Sequence, residues 1–377
     1  MTDTLFISCV PGLEDVLGME LAALGYSFEK SRAGVYVPFR DMAQVYELNL
    51  ELRTASRVLL PLHKFTCKNK EQLYKEALAI DWKPFFKNLP TFAIDAVVHH
   101  HKTLTNSLFA AQTVKDAICD QLKAAFGSRP SVDTQDPDVS IHLFILGEKA
   151  VISFDTSGAP LHVRGYRLEG GKAPLRETLA AALLYLSGFK GDEYVVDPCC
   201  GSATILIEAA LMASKTAPGL FRTRFGHFAH PAFSDAEFKA VRSKVSKKKL
   251  VLEKGRFYGI EKSSKAAFFA QKTVRRVHLD GVVVVVEGDF RTTDVPIEPN
   301  FVITNPPYGV RLETTDTLMD LYQDLGKFLK QKTKKPSRGA ILTGNSDLAK
   351  CIGLKTTKRH IVNNGGIECR LLEYDLY

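Results

Sequence analysis

From about residue 176 onward the chain alternates short apolar strands with helical stretches, and no other feature constrains the fold as strongly. A helix over 176–186 precedes the strand Tyr194-Val195-Val196-Asp197 and the turn Pro198-Cys199-Cys200-Gly201. A helix is expected next, over about 202–213. Strand 257–261, helix 264–277, strand 282–286, strand 301–304, helix 318–329 and strand 340–343 follow, and final strands are expected at 360–362 and 368–374. Strands separated by helices need crossover connections and pair in parallel, which predicts a doubly wound α/β sheet. The five consecutive valines are apolar on both faces, as expected of a parallel strand inside the sheet.

Before this region the pattern is α+β. Strands over 5–10 and 34–39 and helices over 14–24 and 41–50 form a first unit, with Asp41 placed to cap the second helix. A second unit has strands over 57–65 and 91–99 and an amphipathic helix over 106–126. Along one side of that helix lie Leu108, Ala111, Val114, Ile118, Leu122 and Ala125. A hairpin is expected with strands 141–146 and 150–154 about Gly147-Glu148-Lys149. The stretch 155–174 is rich in Gly and Pro without periodicity and reads as a linker. The expected division is therefore 1–58, 59–155, a linker over 156–175, and 176–377.

Composition narrows the classes. Hydrophobic residues make up 45% and charged residues 24%, which excludes a wholly disordered chain. No apolar run approaches the roughly 20 residues of a membrane helix, and the N-terminus lacks a signal-peptide pattern, so a cytoplasmic protein without a membrane partner is expected. Lys plus Arg number 50 against 42 Asp plus Glu, a net charge of +8 that permits a nucleic-acid partner. The seven cysteines are scattered without a CxxC pair, which argues against a disulfide framework or a zinc site. His99-His100-His101 on an extended segment point alternately to opposite faces and chelate poorly, so no metal is expected.

In an open α/β sheet the ligand lies beyond the carboxyl ends of the strands. Here Asp197 and Pro198 end the first strand, and Gly201 lets a ligand approach the backbone. Glu261 ends the second, where two carboxylate oxygens suit the hydroxyls of a ribose. The third leads into Gly288-Asp289-Phe290, where a carboxylate could accept from an adenine amine while the ring packs on the base. Each is commonplace alone: Asp197 could simply cap a helix, Glu261 could be solvated, and Gly288-Asp289 could be an ordinary turn. Their placement at consecutive strand ends is what carries weight. No G-x-G-x-x-G follows the first strand, and Glu261 lies far beyond the roughly 20 residues expected of a nicotinamide-site acid, so a dehydrogenase is disfavoured.

The fourth strand ends in Asn305-Pro306-Pro307-Tyr308-Gly309. Two prolines and a glycine make a turn in any protein, yet this one suits a task. The exocyclic amine of a base is a poor nucleophile because its lone pair is delocalised into the ring. The Asn305 side-chain oxygen and the Pro306 carbonyl could accept its N–H bonds, aim the lone pair at a methyl donor and stabilise the developing positive charge. The prolines stiffen the loop, and Tyr308 could stack on an extruded base.

With these residues in view, Asp197-Pro198-Cys199-Cys200-Gly201-Ser202 and Thr304-Asn305-Pro306-Pro307-Tyr308-Gly309 resemble the class I S-adenosylmethionine-dependent amino-methyltransferases. More narrowly, the chain resembles the THUMP-containing RNA guanine-N2 methyltransferases, often labelled N6-adenine-specific DNA methylases. Further matching stretches are Phe154-Asp155-Thr156-Ser157-Gly158, Leu161-His162-Val163-Arg164-Gly165-Tyr166-Arg167, Ala173-Pro174-Leu175-Arg176-Glu177, Ala217-Pro218-Gly219-Leu220, and Lys115-Asp116-Ala117-Ile118 on the THUMP helix. The resemblance implies a ferredoxin-like unit, a THUMP RNA-binding domain and a Rossmann-like methyltransferase domain. It implies that Asp197, Gly201, Glu261 and Asp289 hold S-adenosylmethionine, that the loop around Pro174 and Leu175 covers it, and that Asn305, Pro306 and Tyr308 hold the target base. Pro198, Pro307 and Phe290 complete the expected site. The family has Gly where this chain has Ala203, which Ala tolerates if the position has ordinary helical dihedrals. It has Asp where this chain has Glu261, whose longer side chain still reaches a ribose. Relatives often carry a second methyltransferase domain, and none is expected after Tyr377.

The implied substrate is structured RNA, 23S rRNA first and tRNA second, methylated at guanine-N2. DNA adenine methylation and a silent RNA-binding assembly factor are the competing readings. Lys102, Lys115, Arg164 and Arg167 are candidate RNA contacts, as are the basic runs over 242–256 and 330–338. Cys199 and Cys200 read as small packing residues, since attack by an amine needs no thiolate. A monomer is the expected state.

Overall fold

The computed structural model describes residues 4–168, 175–309 and 315–377. Every second side chain of Thr4–Cys9 (β1) is buried, so one face of that strand is committed to a core. Helix Glu14–Ala23 (α1), strands Glu29–Ser31 (β2) and Gly34–Pro38 (β3), and helix Met42–Glu51 (α2) follow. Asp41 caps α2, its side chain accepting from the Gln44 N–H at 2.8 Å. Strand Ala55–Thr66 (β4), helix Lys70–Leu78 (α3), strand Phe92–His99 (β5), helix Ser107–Phe126 (α4) and strands Val139–Leu146 (β6) and Lys149–Asp155 (β7) complete the region.

These strands form one sheet in the order β2-β3-β1-β4-β7-β6-β5. The twelve-residue β4 joins it, pairing with β1 through Leu59 and with β7 from Leu59 onward. The two α+β parts seen in the sequence therefore share a sheet. Pro61 lies where the β4–β7 register shifts, the position in a central strand that best tolerates a missing N–H. The buried face of α4 runs through Ala110, Val114, Ala117, Ile118 and Leu122. Leu108 is 67% exposed and Ala125 is also on the surface, so the expected apolar stripe is too long at both ends.

The second region comprises helix Glu177–Leu186 (α5), strand Val195–Asp197 (β8), helices Thr204–Ala213 (α6) and Asp235–Ser246 (α7), strand Phe257–Glu261 (β9), helix Ser264–Arg276 (α8) and strand Val283–Glu287 (β10). Strand Phe301–Thr304 (β11), helix Thr315–Gln331 (α9), strand Ser337–Thr343 (β12), helix Ser346–Cys351 (α10) and strands Lys358–Asn364 (β13) and Ile367–Leu376 (β14) follow. The sheet order is β10-β9-β8-β11-β12-β14-β13, with the first five strands parallel and β14 antiparallel to both of its neighbours. The chain steps outward in one direction from β8 and in the other from β11, so the switch point lies between these two strands. The valine run sits at the sheet edge. Val283 and Val285 are buried whereas Val284 and Val286 are only partly so, because β10 has a strand neighbour on one side only.

Contacts divide the chain into two units that are not contiguous in sequence. One contains Met1–Cys9, Leu17–Leu161 and Arg222–Val245; the other contains Val10–Val16, His162–Phe221 and Ser246–Tyr377. The segment between α6 and β9 thus folds largely with the N-terminal unit. Phe233 and Phe238 meet the Tyr46 ring edge-on at 5.9 and 5.6 Å, and Arg222 donates to the Ser157 and Ala159 carbonyls at 2.9 Å. The Gly- and Pro-rich stretch is also packed rather than solvated: Thr156, Ser157, Arg164 and Tyr166 are all buried. Among the described residues no helix is long and apolar enough to cross a membrane.

Candidate active site

The β8 strand ends at Asp197, which is 1% exposed. Its carboxylate accepts the Cys199 N–H at 3.0 Å, and among the described residues no cationic side chain pairs with it. Burial, reinforced by the nearby Glu261 charge, pushes its carboxyl up to about 7. The chain then turns sharply through Gly201 (φ +54°) and Ala203 (φ 57°, ψ 23°) into α6. Ala203 therefore has left-handed rather than helical dihedrals, and α6 begins at Thr204, later than the sequence suggests. A Cβ on Gly201 would meet nothing within 4 Å, so the outer side of the turn is open to a ligand. On its inner side a Cβ on Gly259 of β9 would meet Cys200 Sγ at 2.8 Å, so the absent side chain lets the turn press against β9.

Glu261, at the end of β9, holds this turn. One carboxylate oxygen accepts the Gly201 N–H at 2.9 Å and the other the Ser263 N–H at 2.8 Å. Two fixed N–H donors orient the carboxylate while leaving lone pairs for ligand hydroxyls. Asp289, beyond β10, is gripped by Arg291, whose Nε and one terminal nitrogen donate at 2.9 and 2.7 Å. That pairing holds its carboxyl down at about 2. Arg291 carried no signal in the sequence beyond its position two residues after Asp289. Phe290 departs from expectation. It is 5% exposed and meets Phe328 of α9 edge-on at 5.8 Å, so its ring belongs to the core beneath the sheet end and does not face a base.

Across the switch point, β11 delivers Asn305-Pro306-Pro307-Tyr308. Asn305 Oδ1 is buried and has no hydrogen-bond partner among the described residues. A buried acceptor left unmet is uncommon and needs an explanation. Pro306 is buried and Pro307 exposed. The Tyr308 hydroxyl accepts from Asn364 Nδ2 at 2.7 Å and from the Cys369 thiol at 3.4 Å, and burial pushes it up to about 12. Its ring lies so close to Gly344 that a Cβ there would meet it at 3.0 Å. Tyr308 is thus fixed at both ring and hydroxyl. Cys200 is buried in the turn and Cys199 partly buried, and desolvation there pushes both thiols well up, so neither is a ready thiolate.

Pro174 lies outside the described residues. Leu175 is buried, and its carbonyl accepts from Arg167 at 2.8 Å. The same guanidinium donates to Thr204 Oγ1 at 3.1 Å and pairs with Glu177 at 2.8 Å. Arg167 therefore ties the approach to α5 to the first turn of α6. Arg164 corrects the sequence reading outright: it is 2% exposed and lies 3.5 Å from Glu208, a buried carboxylate that also accepts from the Tyr166 hydroxyl at 2.9 Å. Such a residue is part of the interior and does not reach RNA phosphates. Lys102 and Lys115 are on the surface, with Lys115 paired to Asp116 at 2.8 Å. His101 is buried, with one ring nitrogen accepting the Leu104 N–H at 2.9 Å and the other 3.0 Å from the Cys67 carbonyl. Among the described residues no group of His, Cys, Asp and Glu could hold a metal ion.

A largely parallel sheet with a single switch point, three carboxylates along one side of it and an asparagine-proline turn on the other defines a Rossmann-like methyltransferase fold. Residues 164–373 match the family described as RMKL-like, methyltransferase domain; residues 67–155 match the THUMP domain and residues 4–59 the RlmL ferredoxin-like domain. The chain belongs to the RMKL-like methyltransferase domain family. It is 37% identical over 369 residues to the ribosomal RNA large subunit methyltransferase K/L of Photobacterium profundum, covering 96% of this chain and 51% of that protein. The chain spans about half the length of the curated relatives it matches. Among solved structures, SMU.472 complexed with SAH superimposes with a TM-score of 0.85 at 28% identity, covering 99% of this chain and 98% of that one. A protein of Clostridium difficile 630 described as a possible methylase superimposes with a TM-score of 0.84 at 32% identity, covering 98% and 97%.

Proposed function

We propose that this chain transfers a methyl group from S-adenosylmethionine to an exocyclic base amine of structured RNA, with guanine-N2 of 23S rRNA as the first substrate. The observation that carries the reading is the buried Asn305 Oδ1, without a partner among the described residues and held by a proline-stiffened turn at the switch point of the sheet. The K/L relatives and the neighbour solved with SAH point the same way.

The residues present fit the cofactor. The open Gly201 turn, the Glu261 carboxylate aligned by two N–H donors, and Asp289 provide a cradle and acceptors for a nucleoside. Bound there, S-adenosylmethionine supplies an electrophilic methyl group. Asn305 Oδ1 and the Pro306 carbonyl accept the N–H bonds of the amine, hold its lone pair in line and stabilise its growing positive charge. Tyr308, fixed through its hydroxyl, offers its ring to the base. No side chain need remove a proton before attack, because the amine loses it to water once charged. In the same reading residues 1–58 are a ferredoxin-like unit and 59–155 a THUMP unit that reads RNA shape, with Lys102 and Lys115 among its contacts. Residues 176–377 carry the chemistry, and the substrate RNA is met inside the cell.

The test uses the purified chain, labelled S-adenosylmethionine and separate deproteinised rRNA and tRNA fractions, followed by nucleoside mass spectrometry. Label in N2-methylguanosine, lost with Asn305→Ala, is the expected result. Label in N6-methyladenosine, or undiminished transfer by Asn305→Ala, would overturn it. Transfer confined to a tRNA fraction would keep the chemistry and move the substrate.

A further inference from the structure

A groove of about 670 Å³ opens beside the base-holding turn and is used by nothing described above. Its floor is the β13–β14 hairpin. In the hairpin register Arg359 faces Leu372 and Ile361 faces Arg370, so Arg359 and Arg370 lie on one face as diagonal neighbours. Its wall is α10 and the loop after it, which contribute Lys350 and Lys355. One end is Gly344, in contact with the Tyr308 ring. Four cationic side chains line the groove against one acid, Glu368. Lys350 pairs with Asp347 at 2.9 Å and Arg370 with Glu368 at 3.9 Å, exposed contacts of little strength. Lys355 and Arg359 are exposed and have no ion pair among the described residues.

We infer that this groove is the track for the phosphodiester backbone of the substrate RNA strand flanking the modified nucleotide. A base presented to Asn305 and Tyr308 must leave its neighbours' phosphates within a few nucleotides of Gly344, and this concavity is cationic where those phosphates have to run. Phosphates, not bases, are the partner: the groove offers spaced cations and no exposed aromatic ring for stacking. Its role is to hold register, and sequence or shape choice lies elsewhere. The assignment rests on the proposed reaction for its substrate but is testable without it.

The experiment measures binding of a fluorescently labelled stem-loop RNA to the full chain across a salt series, for the wild type, Lys355→Ala/Arg359→Ala and Lys355→Arg/Arg359→Lys. Each phosphate contact contributes about 0.9 to the slope of log K against log salt for duplex and about 0.7 for single strands. The Ala pair is expected to weaken binding about tenfold at low salt and flatten the slope by about 1.5, while the charge-retaining pair keeps both. In methyl-transfer assays the Ala pair should raise KM for RNA and leave kcat and cofactor affinity as they are. An unchanged slope for the Ala pair, or equal loss by both pairs, would overturn the groove assignment even if methyl transfer is confirmed. Slope loss in a protein that transfers no methyl group would sustain the groove and sink the reaction instead.

Discussion

Asp155 and Asp197 each end a strand, each is at most 2% exposed, and each precedes a turn through a left-handed glycine, Gly158 or Gly201. What the fold gives them differs. Asp155 is saturated by the Arg57 guanidinium and by the Ser157 and Gly158 N–H groups at 2.9 and 3.2 Å. Asp197 receives the Cys199 N–H and is faced by the Thr304 hydroxyl, with no cation among the described residues. A carboxylate whose partners are all internal holds a fold together. One buried without a counter-charge is a candidate for a partner the fold does not contain.

The largest expected effect falls on the saturated member. Asp155→Ala takes the buried carboxylate from Arg57, a partly buried cation left with the Gly158 carbonyl and Asp95 at 3.7 Å, and strands two N–H donors. Breaking a buried pair from one side costs about 3–5 kcal/mol, so urea unfolding should show a drop of that order. A drop below about 1 kcal/mol would mean that Asp155 is no more structural than Asp197.

Asn305→Ala should act in the opposite sense. Loss of a fixed acceptor for developing charge slows methyl transfer about 100- to 1000-fold, equivalent to about 3–4 kcal/mol. Because its Oδ1 meets no donor among the described residues, the unfolding free energy should move by less than about 0.5 kcal/mol. Loss of both activity and stability would return Asn305 to the structural class.

Asp197 gives a pH signature. Its folded-state carboxyl titrates near 7 against 3.8 for the ordinary group, so between these values the folded protein retains a proton that the unfolded chain releases. The stabilisation from that proton is complete below about pH 4 and is lost as pH rises through 7. Asp197→Asn removes the titration. Relative to wild type it should gain about 4 kcal/mol at pH 8, and that advantage should vanish by pH 4, read from unfolding curves at both pH values. A parallel pH dependence in the two proteins would show that Asp197 is not the buried acid described here.

The contrast also marks what a sequence discloses. The α/β sheet was legible because strand length and periodicity are local: 257–261 and 301–304 are observed as the alternation predicts. The strand-end positions of Asp197, Glu261 and Asn305 were legible for the same reason. Burial from remote partners was not. Phe290 and Arg164 each sit next to a legible site residue or motif, yet what consumes them is Phe328 or Glu208, which spacing does not reveal. Nor could it reveal that 222–245, embedded between α6 and β9, folds with the N-terminal unit. Helix α3 was missed because its stretch is mostly polar, with only Leu73 and Ala77 buried.

Ala203 gives the smallest prediction and the finest test of how the site turn is made. At φ 57° and ψ 23° its Cβ opposes the backbone, a conformation that costs an alanine about 1–2 kcal/mol and glycine essentially nothing. Its methyl is fully buried, which returns about 0.8 kcal/mol. The difference, about 0.2–1.2 kcal/mol, is offset by about 0.4–1 kcal/mol for the extra freedom of glycine in the unfolded chain, so Ala203→Gly should change stability by less than about 0.8 kcal/mol in either direction. The turn geometry that leaves the outer side of Gly201 open and gives its N–H to Glu261 should survive, and S-adenosylmethionine affinity with it. A loss above about 1 kcal/mol would mean that Ala203 is held in helical dihedrals after all, and that the turn between β8 and α6 is built without strain.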